Sequence, residues 1–318
     1  MTDADDELAR REAALTGEVL ARFEDTPSPR LRELLEGLVG HLHAFAREAR
    51  LTEPEWAAAI DFLTRTGQIT DERRQEFILL SDVLGLSMLT ISIGAPRDPE
   101  ATEPTVFGPF FVRDAPLIEY GGDVAQGAAG EPCWVHGRVT DTAGRPIAHA
   151  EIEVWEADDD GFYDVQYDDG RTAGRARMIA DAKGRYGFWS VKPAPYPIPH
   201  DGPVGELLAA TRRSPMRPAH IHFMVAAPGC HTLVTHVFAA DSEHLDDDAV
   251  FGVKTSLVRE FERIEPAAAN PAAPETRTVV ASPGAAADPP PGDRMPTEPW
   301  WRLRFDISLA TVAEDVIV

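Results

Sequence analysis

A chain of 318 residues is long enough for roughly two domains of about 150 residues, and for a core that needs no disulfide support. With 43% hydrophobic and 26% charged residues, it is neither a disordered chain nor a membrane-embedded one. Acidic side chains outnumber basic ones 53 to 30; the resulting charge of −23 repels phosphate backbones and anionic lipid, which argues against nucleic acid as a partner and against membrane insertion.

The sequence begins MTDADDELAR, acidic where a secretory leader is basic and then apolar. Its two cysteines, Cys133 and Cys230, make neither a disulfide framework nor a thiolate cage. A cytoplasmic protein is expected.

Residues 1–96 read as an N-terminal helical domain. Leu8, Ala14, Leu15, Val19, Leu20 and Phe23 share one stripe, opposite charged residues. Pro27 and Pro29 interrupt the pattern before the period resumes over residues 31–51. Thr52-Glu-Pro-Glu marks a capped helix start with proline in the first turn. Thr70 is the expected cap of the next helix, which opens on TDERRQEFILL. The stretch Phe77 to Ile93 is apolar enough to resemble a membrane span, but Asp82 and several hydroxyl side chains make it a buried helix of a soluble fold.

Residues 97–130 are rich in proline and glycine and read as a connector. From 131 to 318 short strands alternate with turns, which predicts an antiparallel β-sandwich and an α+β architecture overall. Three strand–turn–strand units are expected: WVHGRVTD with AEIEVWEAD, RARMIAD with RYGFWSV, and AHIHFMVAA with HTLVTHVFAA. WRLRFDISLA closes the chain. The Ala/Pro-rich run 264–299 reads as a flexible excursion.

The chemistry begins at RPAHIHF, residues 217–223. Residues two apart on a strand share a face, so His220 and His222 present both imidazoles together. Alone, that pattern also fits a half-exposed strand. Two of the five tyrosines stand in irregular settings: Tyr163 in DDDGFYDVQ and Tyr196 in KPAPYPIPHDGP. Each fits a packing aromatic at an end of the sandwich, or a phenolate ligand. Together with the two histidines they form a hard, oxygen-containing donor set that suits ferric iron better than zinc or cuprous copper. Asp82 is an acid in an apolar helix, where an unpaired carboxylate is costly. It fits a substrate hydroxyl, a nearby arginine, or an exposed helix position.

GFYDVQ, YPIP, RPAHIHF, THVFAADSEHLDDDAVFGVK and TEPTVFGPFFV resemble the intradiol ring-cleavage dioxygenases over nearly the whole chain. The resemblance implies one non-haem Fe(III) per subunit, bound by Tyr163, Tyr196, His220 and His222. It implies that Arg217 stabilises negative charge developing on the ring, and that Tyr196 leaves the metal as substrate binds. The substrate would be a small aromatic diol or triol, cleaved with dioxygen. LLSDVLG, ATEPTVFGPF, YPIPHDGPVG and LVTHVF are most similar to the branch acting on hydroxyquinol (benzene-1,2,4-triol). Catechol-preferring members typically carry glutamine at the position of His236.

By the same resemblance Leu79, Asp82, Val106, Phe107, Gly108, Pro109, Phe110, Ile198, Pro199, His236 and Val250 line the substrate pocket. His200 is expected at its rim. The family forms homodimers through its N-terminal helices, often with a phospholipid in the groove. Catechol or chlorocatechol cleavage stays open as a reading. So does a non-catalytic β-sandwich binding module, which would have no need of the tyrosines together with the H-x-H strand.

Overall fold

Prolines and short polar side chains punctuate the N-terminal helices as the sequence suggests. The computed structural model describes residues 3–71, 74–266, 290 and 296–312. Helix α1 spans Asp3–Ala21, α2 Pro29–Glu48 and α3 Glu53–Ile69. Pro29 opens α2, and the Leu31 amide donates to Ser28 Oγ at 3.3 Å. At α3 the Thr52 amide donates to Glu55 Oε2 at 2.9 Å, and the Glu55 amide donates back to Thr52 Oγ1 at 3.5 Å. Arg47 Nη1 donates to Thr16 Oγ1 at 2.8 Å, tying α2 to α1.

The compact units divide at residue 68 and not at 96: residues 1–68 form one and 69–318 the other. The reason is packing. Helices α4 (Glu76–Val83) and α5 (Leu86–Gly94) bury Leu79, Val83 and Met88 against Val204 and Leu208 of α6 (Pro203–Ala210) and against Val250. Two further expectations change here. The apolar stretch 77–93 is not one buried helix, because Gly85 turns left-handed (φ +73°) and breaks it into α4 and α5, bent by 77°. Phe77, Ile78, Leu84, Leu86, Leu89 and Ile93 are exposed on the two pieces. The helix also starts at Glu76 and not after Thr70, since the Asp71 carboxylate and carbonyl are engaged in a local turn that accepts the Arg74 amide and the Gln75 side chain. No single described helix is long and apolar enough to cross a membrane.

The second unit is a sandwich of two five-stranded sheets. In the first, β1 (Pro132–Asp141) pairs antiparallel with β4 (Arg185–Val191), and parallel with β11 (Trp300–Arg304) and β12 (Ile307–Leu309); β10 (Glu262–Ile264) extends the β11 edge. In the second the order is β3 (Arg175–Ile179), β2 (Glu151–Trp155), β7 (His220–Ala226), β8 (Leu233–Ala239), β9 (Val258–Arg259), with β9 parallel to β8. The sheets are therefore mixed rather than purely antiparallel. A short ribbon, β5 (Tyr196–Pro197) with β6 (Met216–Arg217), lies apart.

Only β7–β8 is a true hairpin among the three expected units. β1 and β2 join different sheets, and so do β3 and β4. Both crossings use the same device, Asp-x-x-Gly-Arg at 141–145 and at 181–185. Asp141 Oδ1 accepts the Ala143 and Arg145 amides, and Asp181 Oδ1 accepts those of Lys183 and Arg185. Each following arginine closes on its aspartate, at 2.6 and 2.7 Å. The turns close as hairpins do, but the outgoing strand continues into the opposite sheet.

Ile152, Val154, Ile221, Phe223 and Val225 of one sheet meet Val135, Val139, Phe188, Leu303 and Phe305 around the inter-sheet core. Of the expected excursion 264–299, Ile264 belongs to β10 and packs with Trp134, Trp189 and Trp300; residues 267–289 and 291–295 lie outside the described residues.

Candidate metal centre and substrate cavity

Strand β7 reads H-I-H-F-M-V-A, and its two-residue period separates two jobs. Ile221, Phe223 and Val225 fill the core, so His220 and His222 project from the opposite face. The site therefore lies on the outer face of the second sheet, not at an end of the sandwich. His222 pairs in register with Trp155 on one side and His236 on the other. Trp155 stacks on the His222 ring at 4.7 Å between centroids and 16° between planes. On the tyrosine side, the loop after β2 carries Tyr163 and ribbon strand β5 carries Tyr196.

These four side chains, far apart in sequence, converge. Tyr163 Oη lies 2.9 Å from Tyr196 Oη and 2.9 Å from His222 Nε2, and His222 Nε2 lies 3.2 Å from His220 Nε2. All four residues are buried. Burial, reinforced by the Arg217 charge, pushes the pKa of both histidines well below the usual imidazole value, so they are neutral. His220 Nδ1 lies 2.7 Å from the Pro218 carbonyl, which leaves its Nε2 lone pair facing the cluster. His222 has no such partner, and its Nδ1 is buried without one. Its place is set by Trp155 and by Gly108, where a Cβ would come within 3.1 Å of His222 Cε1.

Burial also raises both tyrosine pKa values, with the neighbouring Tyr196 oxygen adding to the rise at Tyr163 and the Arg217 charge opposing it at Tyr196. In the protein alone these are neutral phenols; a bound cation of high charge reverses that preference. Neutral imidazoles and phenols packed about 3 Å apart, without counter-charges of their own, fit donors roughly 2 Å from one shared ion. A third imidazole adjoins them. The ring nitrogens of His220, His222 and His236 lie within 4.8 Å of one another. His236 Nδ1 makes a short contact with Thr105 Oγ1, and its Nε2 is buried without a partner.

Beside the donors is a narrow cleft lined by Leu79, Asp82, Val106, Gly108, Pro109, Phe110, Tyr196, Ile198, Pro199, Arg217 and Val250. All the expected pocket residues line it except Phe107 and His236. Phe107 instead packs on Phe111 and Trp155 and is 39% exposed, while His236 is wholly buried behind His222. His200 is exposed and lines the wider groove outside.

Asp82 is 4% exposed and lies near Ser87, and it has no ion-pair partner among the described residues. Burial raises its pKa, opposed by Ser87 and by the Arg217 charge. The exposed and arginine-paired alternatives for Asp82 both fall away. The arginine is committed elsewhere: Arg217 Nε donates to Asp248 Oδ1 at 3.1 Å, with both groups buried.

Sequence reasoning missed Asp248, Thr105 and Trp155. Asp248 sits in the run DDDAV, which reads as surface charge. Strand register exposes Trp155, and the contact with His236 across the fold exposes Thr105.

Residues 106–280 match the family model described as dioxygenase, and residues 28–102 the one described as catechol dioxygenase N terminus. Hydroxyquinol 1,2-dioxygenase of Nocardioides simplex is 58% identical over 304 residues, covering 96% of this chain and 97% of that one. This chain belongs to the intradiol ring-cleavage dioxygenases. Among solved intradiol dioxygenases, hydroxyquinol 1,2-dioxygenase from Pseudomonas putida DLL-E4 superposes with TM-score 0.82 at 41% identity, over 96% of this chain and 100% of that one. Catechol 1,2-dioxygenase from Pseudomonas arvilla C-1 gives 0.75 at 28%, over 95% and 92%. Intradiol dioxygenases use non-haem iron, and the donor set described above fits such an ion.

Proposed function

We propose that this intradiol dioxygenase cleaves hydroxyquinol between its two adjacent hydroxyl-bearing carbons, giving 3-hydroxy-cis,cis-muconate, equivalent to maleylacetate. The observation that carries the reading is the convergence of Tyr163, Tyr196, His220 and His222 beside a cavity that holds a buried, unpaired Asp82. Those four residues would hold one ferric ion. When bound, iron supplies the redox character that makes a ring diolate reactive toward dioxygen.

The remaining work falls to the protein. Leu79, Val106, Pro109, Phe110, Ile198, Pro199 and Val250 give the ring an apolar slot and exclude water. Asp82, at the cavity wall, accepts the third hydroxyl that distinguishes a triol from catechol. Arg217 keeps its charge beside Asp248 and offsets negative charge gathering on the ring. Tyr196, hydrogen-bonded to Tyr163 and near the Arg217 charge, would take up a proton from a substrate hydroxyl once a bound ferric ion has made it a phenolate.

Oxygen uptake on hydroxyquinol and catechol side by side tests the substrate; strong preference for catechol overturns it. Tyr163→Phe tests the ligand set: the visible tyrosinate–iron band and turnover are both expected to vanish while the fold persists. Wild-type colour in that variant refutes the assignment.

The exposed α2 side chains Leu31, Leu34, Leu38, Leu42 and Phe45 recur at three- and four-residue spacing, which supports a homodimer through the N-terminal helices. Leu38→Glu with Leu42→Glu is expected to give a monomer by light scattering. Two free thiols fit the cytoplasm.

A further inference from the structure

We infer that Asp248 is a positioning residue for ring cleavage, acting solely by holding the Arg217 guanidinium at the substrate cavity. The inference rests on the ring-cleavage reading above. Arg217 is 3% exposed and Asp248 5%, so neither charge has water to stabilise it, and each depends on the other.

Asp248 is itself fixed by backbone. Its Oδ1 accepts the Val250 amide at 3.3 Å and its Oδ2 the Gly252 amide at 2.8 Å, while the Ala249 amide donates to the Met216 carbonyl at 3.0 Å, next to Arg217. The loop is thus fastened to the β5–β6 ribbon, whose register pairs Arg217 with Tyr196. Gly252 completes the fit, since a Cβ there would stand 3.1 Å from both Arg217 Nη2 and Asp248 Oδ2.

The guanidinium is held through Nε by Asp248, and Nη2 is buried without a protein partner. Nη1 lies 3.1 Å from His220 Nε2, a contact given up where that lone pair binds iron. A planar fork clamped at Nε has one orientation. Without the clamp, nothing in the loaded enzyme fixes its plane.

Asp248→Asn tests this in the iron-loaded enzyme, because asparagine cannot accept from Arg217 and from both amides at once. The expected result is a fall in kcat on hydroxyquinol of about ten- to a hundredfold, the usual scale for losing a group that orients a catalytic one. KM and the visible tyrosinate–iron band are expected to change little. In an Arg217→Gln background the same substitution is expected to cost less than about twofold, because its only route of action is gone. Wild-type kcat in Asp248→Asn overturns the inference, and so does a full-sized loss repeated on Arg217→Gln.

Should Asp248→Asn fail to fold in thermal melts, Gly252→Ala crowds the pair without removing either charge. It is expected to lower kcat at unchanged iron content, and wild-type kcat there also overturns the inference. The outcomes are separable from those of the parent reading. A wild-type enzyme that consumes no oxygen with any diol sinks ring cleavage, whereas an active wild type with an unimpaired Asp248→Asn sinks only the positioning role.

Discussion

The two halves of the candidate metal site are built in opposite ways. The histidine half is regular: His220, His222 and His236 stand on paired strands, their spacing set by pleat and register. The tyrosine half is irregular. Tyr163 follows a turn in which Asp158 Oδ1 accepts the Asp160 and Phe162 amides, and Tyr196 sits on a two-residue strand between prolines. A ladder places side chains through backbone geometry, while a loop places them through many local hydrogen bonds. Removing a donor from either half should abolish activity, whereas losing one of the hydrogen bonds that shape the loop should cost little, because the others remain.

The sharpest way to break the comparison is in the ladder. His222→Ala removes a donor that also carries the Trp155 stack, and loss of bound iron and of measurable turnover is expected, read by metal analysis and oxygen uptake. Substantial activity there would mean His236 can replace it.

Gly108→Ala comes next. The left-handed backbone (φ +76°) costs a β-carbon about 1–2 kcal/mol, and the added methyl presses on His222. Activity is expected to fall about tenfold with the fold retained, since a displaced ligand loses geometry and not identity. Unchanged kcat would show that His222 has slack.

Glu156, where the tyrosine loop leaves β2, gives a pH test. Its carboxyl is 2% exposed and bonded to Ser190, near Cys133 and Tyr163, and burial pushes its pKa up to about 8. The native state thus keeps a proton that the unfolded chain releases near 4.5. Between those values the unfolded state binds fewer protons, so stability falls as pH rises, by up to about 1.4 kcal/mol per pH unit. Below 4.5 the contribution is complete, and above about 8 it is gone. Denaturant melts at several pH values should show a flatter profile for Glu156→Gln; an identical profile would mean the carboxyl is ionised in the fold.

The smallest effect is expected in the loop itself. Tyr167 Oη donates to Asp158 Oδ2 at 2.6 Å, and Tyr167→Phe should cost about 1 kcal/mol in thermal melts. Turnover should stay near wild type, because Asp158 keeps its two amides. A tenfold loss of kcat would show that the loop has no redundancy.

The asymmetry also explains what could be read in advance. H-x-H on a strand has one geometric meaning, so the shared face of His220 and His222 was legible from a two-residue period. The tyrosines have no period to read; their irregular settings single them out, and the motif resemblance implies their role as ligands. The three strand–turn–strand units looked alike, because Asp-x-x-Gly-Arg closes a turn whether or not the next strand pairs with the last. The stretch 77–93 misled for a related reason: its apolar composition says nothing about a left-handed Gly85 in its middle.

Local pattern alone determined where the first three helices and the main strands form, which face of β7 carries imidazoles, and which side chains are able to bind a hard metal ion. Tertiary structure decided the rest: which sheet each strand joins, that the site occupies an outer sheet face, and that Asp248 secures Arg217 while Asp82 has no ion-pair partner among the described residues. Alternation and capping act over a few residues and leave marks in composition. Partner choice between buried charges is settled by distances across loops far apart in the chain, where the cost of burying an unpaired ion outweighs any local preference.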